Sequence, residues 1–95
     1  MKVIWTAKAE RQLDQIFEYI ASDSELYAYR LGNQIINRAE SLSEFPKKGQ
    51  QVPEYQRKDI RQIIVKPYRV VYFLKDQAVE ILSIIHSLQL MPEKP

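Results

Sequence analysis

Cysteine is absent from the 95-residue sequence, and glycine and histidine are scarce, with two glycines and one histidine. The lack of cysteine excludes a disulfide framework, a metal site built on thiolates and thiol catalysis. Two glycines are too few for a glycine-rich loop that cradles a phosphate, which argues against nucleotide binding. A lone histidine without a carboxylate cluster does not make a metal site. We therefore expect neither a metal nor another cofactor.

Long apolar runs are also missing. No stretch approaches the ~20 apolar residues that a membrane-spanning helix needs, and no apolar segment follows a basic start as in a secretory signal. These absences lead us to expect a cytoplasmic protein without a membrane partner. The length corresponds to one small domain covering residues 1–95.

Charge is unevenly distributed along a chain whose net charge is only +2. Residues 1–46 contain five Lys or Arg and seven Asp or Glu, whereas residues 47–75 contain eight basic and two acidic residues. A basic second half predicts an acidic or polyanionic partner. The alternative is that many of these basic side chains are simply solvated.

Two stretches of the first half have helical periodicity. The first has apolar residues at i, i+3, i+4 and i+7, namely Leu13, Ile16, Phe17 and Ile20. Thr6 is a suitable N-cap for this helix, because its hydroxyl can accept from a free amide of the first turn. The second stretch has one apolar stripe formed by Ala28, Leu31, Ile35, Ala39 and Leu42.

The residues that flank the second stretch predict its boundaries. Ser22 and Glu25 have the spacing of a capping box, in which each side chain satisfies the other's backbone amide. The helix should end near Phe45, because Pro46 lacks an amide hydrogen and disfavours helix in the residue before it. The two helices then form a hairpin from about Ala7 to Phe45.

The second half predicts β-strands. Three runs rich in β-branched and aromatic residues cover Ile60–Val65, Arg69–Leu74 and Val79–Ile85, and two short polar breaks separate them. Breaks that short are typical of hairpins, so the runs predict an antiparallel meander. Lys2–Trp5 can serve as an edge strand, and residues 47–58 read as a connecting loop. We predict an α+β fold in which an N-terminal strand and an antiparallel helical hairpin pack on a three-stranded antiparallel meander.

These strands are apolar on both faces, although a sheet with one solvated face should alternate between apolar and polar residues. A single helical hairpin covers one face. The other face needs the chain's own tail, a second copy or another protein. The nine residues after His86 are too few to shield three strands, so we expect another protein there.

Several short motifs, spread over nearly the whole chain, occur in the same order as in a known family. The most specific are Pro67-Tyr68-Arg69-Val70-Val71-Tyr72, between two strands, and Ile84-Ile85-His86 at the end of the last strand. The others are Val3-Ile4-Trp5-Thr6, Ala9, Leu13, residues 16–20, Leu42, Pro46, Gly49, Ile60-Arg61 and Val79-Glu80-Ile81. In these motifs the chain resembles the RelE/ParE superfamily of toxins from bacterial type II toxin–antitoxin modules.

The resemblance implies a protein partner. Toxins of this superfamily are bound by a cognate antitoxin, whose flexible acidic-to-amphipathic tail wraps the sheet and the hairpin groove, so a toxin–antitoxin hetero-oligomer is expected. Such a partner would explain the second apolar face. The strand residues expected to contact it are Ile63, Val65, Val71, Phe73, Leu82 and Ile84.

The superfamily has two mechanisms. RelE-like members cleave messenger RNA in the ribosomal A site without a metal, by using Lys, Arg and a terminal Tyr or His to stabilise the developing charge. ParE-like members trap DNA gyrase, block replication and have a longer helical hairpin. The hairpin here is similar to that of the ParE-like branch, and no arginine or tyrosine follows His86.

We therefore expect a gyrase inhibitor rather than an enzyme. One alternative is a ribosome-dependent endoribonuclease in which Arg61, Arg69 and His86 do the chemistry. Another is an inactive remnant that still binds an antitoxin. The residues expected to contact the target, whether gyrase or ribosome and mRNA, are Arg61, Lys66, Arg69 and His86. Each also has a structural interpretation: Arg69 as a side chain that bonds backbone carbonyls or a carboxylate, Arg61 and Lys66 as solvated edge residues, and His86 as a strand-end residue.

Overall fold

The computed structural model describes residues 1–95 and has an α+β architecture, as predicted. In chain order the elements are β1 (Lys2–Trp5), α1 (Ala7–Ala21), α2 (Glu25–Glu40), a 3₁₀ helix (Ser41–Ser43), β2 (Gln50–Gln51), β3 (Ile60–Val65), β4 (Tyr68–Leu74) and β5 (Ala78–His86). The meander β3-β4-β5 is confirmed, and it lies within a five-stranded sheet of order β1-β5-β4-β3-β2. Neither helix combines the length and the apolar character that crossing a membrane requires.

The two edge strands complete the sheet. β1 runs parallel to β5, with Val3 opposite Val79 and Trp5 opposite Ile81, so the sheet is mixed rather than antiparallel throughout. β2 is only two residues long and pairs antiparallel with β3. The sequence analysis assigned β2 to a loop, because two residues show no periodicity. Short edge strands of this kind limit pairing with other chains.

Thr6 caps α1 and fastens its start to the sheet. Its hydroxyl oxygen accepts from the Ala9 amide at 3.1 Å, as predicted, and donates to the carbonyl of Ile81 at 2.8 Å. The first turn of α1 is therefore held directly against β5.

The cap of α2 differs from the prediction. Ser24 is the N-cap, and its hydroxyl oxygen accepts from the Tyr27 amide at 3.1 Å. The capping box predicted at Ser22 is wrong, because Ser22 still belongs to the end of α1, where its amide donates to the carbonyl of Glu18. Helical structure ends at Ser43, slightly before the predicted limit at Phe45.

The helical hairpin covers one face of the sheet, which we call the hairpin side. The predicted stripe of α2 is buried along its whole length, and the stripe of α1 packs beside it, partly buried. The sheet residues buried beneath them include Val65, Val70, Tyr72, Val79 and Ile81. Each fully buried aliphatic side chain contributes about 1.5–3 kcal/mol relative to an exposed one, so this core dominates stability.

The opposite face, here the outer face, has a second, smaller core. Ile60 and Val71 are buried against Val52, with Tyr55 and Met91 packed around them. Val52 and Tyr55 belong to the segment between β2 and β3, which we call the strap (residues 52–59). The expectation that another protein must cover this face is therefore wrong for Ile60 and Val71, whereas Phe73 and Leu82 remain partly exposed. The tail alone is too short to cover the face, but the strap and the tail together cover part of it.

Tyr72 is the largest fully buried side chain, and it anchors the segment that follows α2. Its hydroxyl donates to the carbonyl of Pro46 at 2.8 Å and accepts from the amide of Gly49 at 3.0 Å. A Cβ at Gly49 would lie 2.5 Å from the carbonyl oxygen of Gln62 and 2.6 Å from the Tyr72 hydroxyl. Only glycine allows this close approach.

Replacing Tyr72 by phenylalanine should lower the free energy of unfolding by about 1–3 kcal/mol, because two backbone groups lose their partner in the interior. Urea denaturation measures the difference. Tyr27→Phe is a matched control on an exposed tyrosine and should change stability by less than about 0.5 kcal/mol. Equal stability of Tyr72→Phe and the parent would contradict this role of the hydroxyl.

Candidate functional site

Arg69 lies on the outer face and fastens the strap to β4. Its two terminal nitrogens donate to the two carboxylate oxygens of Glu54, both at 2.9 Å, and its Nε donates to the side-chain oxygen of Gln62 at 2.7 Å. The planar guanidinium matches both carboxylate oxygens at once, which makes the pair strong for its exposure. The guanidinium of Arg69, which was predicted to contact a target, is therefore bound to the carboxylate of Glu54 in the strap.

The ion pair changes the titration of Glu54. Hydrogen bonds from Arg69 lower the pKa of Glu54 from 4.5 to about 2. The Glu54 side chain is 43% exposed, whereas that of Arg69 is 13% exposed. Because water screens the exposed partner, the pair contributes no more than about 1 kcal/mol to stability.

Arg61 and Lys66 have different surroundings. Arg61 donates to the carbonyl of Gly49 at 2.8 Å, before the strap, and to the carbonyl of Lys58 at 3.2 Å, within it. Lys66 is exposed in the turn between β3 and β4. Of these two, only Lys66 presents its charge freely to solvent.

His86 ends β5 on the hairpin side. Its Nδ1 accepts from the amide of Leu88 at 3.1 Å, and its ring meets Tyr68 edge to face, with centroids 5.4 Å apart. No group of three His, Asp or Glu side chains is close enough to hold a metal ion. The histidine is therefore a strand-end residue with local partners.

The register of the sheet separates the predicted catalytic residues. On β4, Tyr68 pairs with His86 and Arg69 pairs with Ile85. Successive residues of a strand face opposite sides, so Arg69 and His86 lie on opposite faces. Arg61 lies opposite Tyr72, four residues from Tyr68 along β4, which corresponds to about 13 Å. The fold does not bring Arg61, Arg69 and His86 into one cleft.

The six strand residues predicted to bind an antitoxin do not form one surface. Ile63, Val65 and Ile84 belong to the core under the hairpin and are at most 5% exposed, so the prediction is corrected for these three. Those on the outer face are Val71, which is buried, and Phe73 and Leu82, which are partly exposed.

A β-bulge explains why Leu82 and Ile84 face opposite sides although they are two residues apart. Val71 pairs with Ser83 and Tyr72 pairs with Ile81, so Leu82 is the extra residue. An extra residue breaks the alternation of faces along the bulged strand. Strict alternation therefore predicts the same face for Leu82 and Ile84, which is wrong.

The helical hairpin has an exposed apolar surface that the sequence analysis missed. We define this hairpin surface by Tyr29 and Ile36 of α2, which are exposed and line one groove. Tyr19, Leu26 and Tyr27 are also exposed, on other sides of the two helices. A signal was present, because α2 has large apolar residues outside its buried stripe. Helical periodicity indicates which residues of α2 are buried, and it says nothing about the large apolar residues outside that stripe.

A groove of about 190 Å³ lies between the two helices at this surface. It is lined by Leu13, Asp14, Phe17, Tyr29, Gly32, Asn33 and Ile36. Phe17 and Tyr29 meet edge to face, with ring centroids 5.0 Å apart. A Cβ at Gly32 would lie 3.9 Å from the ring of Phe17, so the missing side chain keeps the space above that ring open. Aromatic walls around an open apolar groove are typical of a protein-binding site.

Comparison with known proteins agrees with the fold and with the order of the motifs. A family model described as "ParE toxin of type II toxin-antitoxin system, parDE" matches residues 3–91. Toxin RelE2 of Caulobacter vibrioides is 33% identical over 89 residues, which cover 94% of this chain and 98% of the relative. Putative toxin Y4kP of Sinorhizobium fredii is 31% identical over 94 residues, or 97% of this chain and 94% of the relative.

A solved structure described as "Chromosomal ParDE TA system from P. aeruginosa" superposes with a TM-score of 0.75. The match covers 90% of this chain and 95% of that chain at 22% identity, and it shows a shared fold.

Replacing Glu54 by glutamine should lower the free energy of unfolding by about 1 kcal/mol near neutral pH. Because the pKa of Glu54 is lowered by folding, its contribution is fully present above pH 4.5 and is lost as the pH falls toward 2. The two proteins should therefore converge in stability across that interval. Urea denaturation over the pH series measures this.

The control for this series is Glu44→Gln, which changes an exposed carboxylate that is not in an ion pair. Its stability should remain parallel to that of the parent at every pH. A deficit in Glu54→Gln that stays constant down to pH 2 would contradict the proposed role of the ion pair.

Proposed function

The chain belongs to the ParE toxin family of type II toxin–antitoxin systems, and on that basis we propose that it stops growth by acting on DNA gyrase and that a cognate antitoxin neutralises it. Membership of the family rests on a match to residues 3–91.

The separation of Arg69 from His86 is the observation that supports binding over cleavage. A metal-free ribonuclease must bring positive charge and a general acid or base to the same phosphate. Here Arg69 is bound to Glu54 on the outer face, whereas His86 lies on the hairpin side. A toxin without such an assembled set acts by binding its target, which is the mechanism of the ParE-like branch.

Lys66 best fits a role in contacting the target. It is exposed at the tip of the β3–β4 turn. Arg61, Arg69 and His86, the other residues predicted for this role, are all engaged by groups of the chain itself. We propose Lys66 as part of the gyrase contact and the other three as residues that support the fold around it.

We propose that the antitoxin binds the hairpin surface and its groove. An amphipathic helix can bury its apolar side in such a groove, with Tyr29 and Ile36 as the contacts. Large aromatic residues supply most of the binding energy at interfaces of this kind. The partly exposed Phe73 and Leu82 of the outer face form a second, smaller contact for the antitoxin tail.

The target can be identified with purified protein. We expect it to inhibit supercoiling by DNA gyrase and to trap cleaved plasmid DNA, while cell-free translation continues. Message cut on translating ribosomes, and lost in a folded Arg69→Ala variant, would replace this proposal with the ribonuclease alternative. Normal growth on induction of the chain alone, without either effect, would identify an inactive remnant that still binds an antitoxin.

The antitoxin surface can be tested by placing a charge in the groove. Ile36→Asp should weaken binding of the cognate antitoxin at least tenfold, or about 1.4 kcal/mol, because a carboxylate would be desolvated at the interface. Calorimetry measures the affinity, and circular dichroism checks the fold. Phe45→Asp is the control, since Phe45 is exposed beyond the end of α2 and lines neither the groove nor the cavity beside His86. Equal affinities of the two variants would exclude the groove as the binding site.

A further inference from the structure

A second cavity, of about 250 Å³, lies between α1 and the end of β5. Its lining residues are Gln12, Gln15, Ile16, Tyr19, Tyr68, Ile84, His86 and Gln89. Three glutamines, two tyrosines and a histidine make it polar, yet none of these side chains is a carboxylate, a lysine or an arginine. We call it the amide pocket.

Internal hydrogen bonds orient two of the glutamines. The amide of Ile84 donates to the side-chain oxygen of Gln12 at 2.8 Å, and the amide of His86 donates to the side-chain oxygen of Gln89 at 2.8 Å. A backbone amide can only donate, so an oxygen must face it in each case. The NH₂ groups of Gln12 and Gln89 therefore remain as donors.

The same reasoning assigns the imidazole of His86. Its Nδ1 accepts from the amide of Leu88 at 3.1 Å, so this nitrogen carries no proton. The ring proton must then be on Nε2, which is a donor. In all three side chains the internal bond occupies an acceptor and leaves N–H groups for the pocket.

We infer that the amide pocket binds a carboxylate, brought by an acidic side chain of a polypeptide partner. An ionised carboxylate only accepts hydrogen bonds and has about four acceptor sites, which suits N–H donors on three side chains that line the same pocket. No acidic residue of the chain lines the pocket to compete for them. The apolar side chains of Ile16 and Ile84 can contact the methylene groups of an aspartate or glutamate.

The lining residues favour a single anionic group over a polyanion. Nucleic acids are bound mainly through Lys and Arg that neutralise successive phosphates, and neither residue lines this pocket. A polypeptide is favoured for a second reason: Tyr19 lines the pocket and is 77% exposed on α1, so a chain bound against the helical hairpin can contact it and reach the pocket. This choice of carrier rests on the proposed antitoxin surface, whereas the carboxylate specificity does not.

Titration of the full-length chain with sodium glutarate tests the inference by NMR. We expect saturable shifts in the side-chain NH₂ signals of Gln12 and Gln89 and in the ring signals of His86. Glutaramide and inorganic phosphate at the same ionic strength should leave these signals in place. Saturable shifts with phosphate equal to those with glutarate would overturn carboxylate specificity, and the absence of saturable shifts with glutarate would overturn the site.

Two nearly isosteric variants test the donors. Gln12→Glu and Gln89→Glu keep the oxygen that accepts from the backbone and remove the NH₂ donors, so each should weaken glutarate binding at least tenfold without unfolding the chain. Gln34→Glu adds the same charge at an exposed position of α2 and should bind glutarate like the parent. Unchanged binding in both pocket variants would contradict the inference. Glutarate binding does not depend on the growth or gyrase assays, so the two proposals can fail separately.

Discussion

The central strand, β4, is apolar on both faces, so other segments of the chain must cover each face of the sheet. The rest of the structure follows from that requirement. β4 directs Val70 and Tyr72 toward the hairpin and Val71 and Phe73 toward the outer face. The helices supply one cover. The strap supplies most of the other, and basic side chains of the sheet hold it in place through Glu54 and through backbone carbonyls. Part of the positive charge that predicted a polyanionic partner is therefore paired with groups of the chain itself.

Local signals in the sequence predicted the elements, whereas nonlocal pairing decided how they meet. Helical stripes, the Thr6 cap and the β-branched runs depend on neighbouring residues and were identified correctly. The parallel pairing of β1 with β5, the bulge at Leu82 and the burial of Val52 against Val71 join distant segments. No periodicity reports such contacts, so residues from both faces of the sheet were predicted to form one surface.

The interaction surfaces show the same division. Resemblance to the family predicted a role for Arg69. Its partner Glu54, however, lies 15 residues away in a segment without hydrophobic periodicity, so the ion pair could not be predicted. The tyrosines of the hairpin are present in the sequence, but helical periodicity predicts only which residues are buried and not which exposed residues bind a partner. The donors of the amide pocket follow from hydrogen bonds between α1, β5 and the tail, which only the assembled fold contains.

The pairing of the first strand with the last has a consequence for synthesis. β1 is translated before the other strands of the sheet and its partner β5 after them, so the sheet cannot close until β5 has been made. Contacts of such large sequence separation also slow folding, because the intervening chain must be ordered before they form. A chain truncated before β5 therefore lacks the strand that joins β1 to the meander.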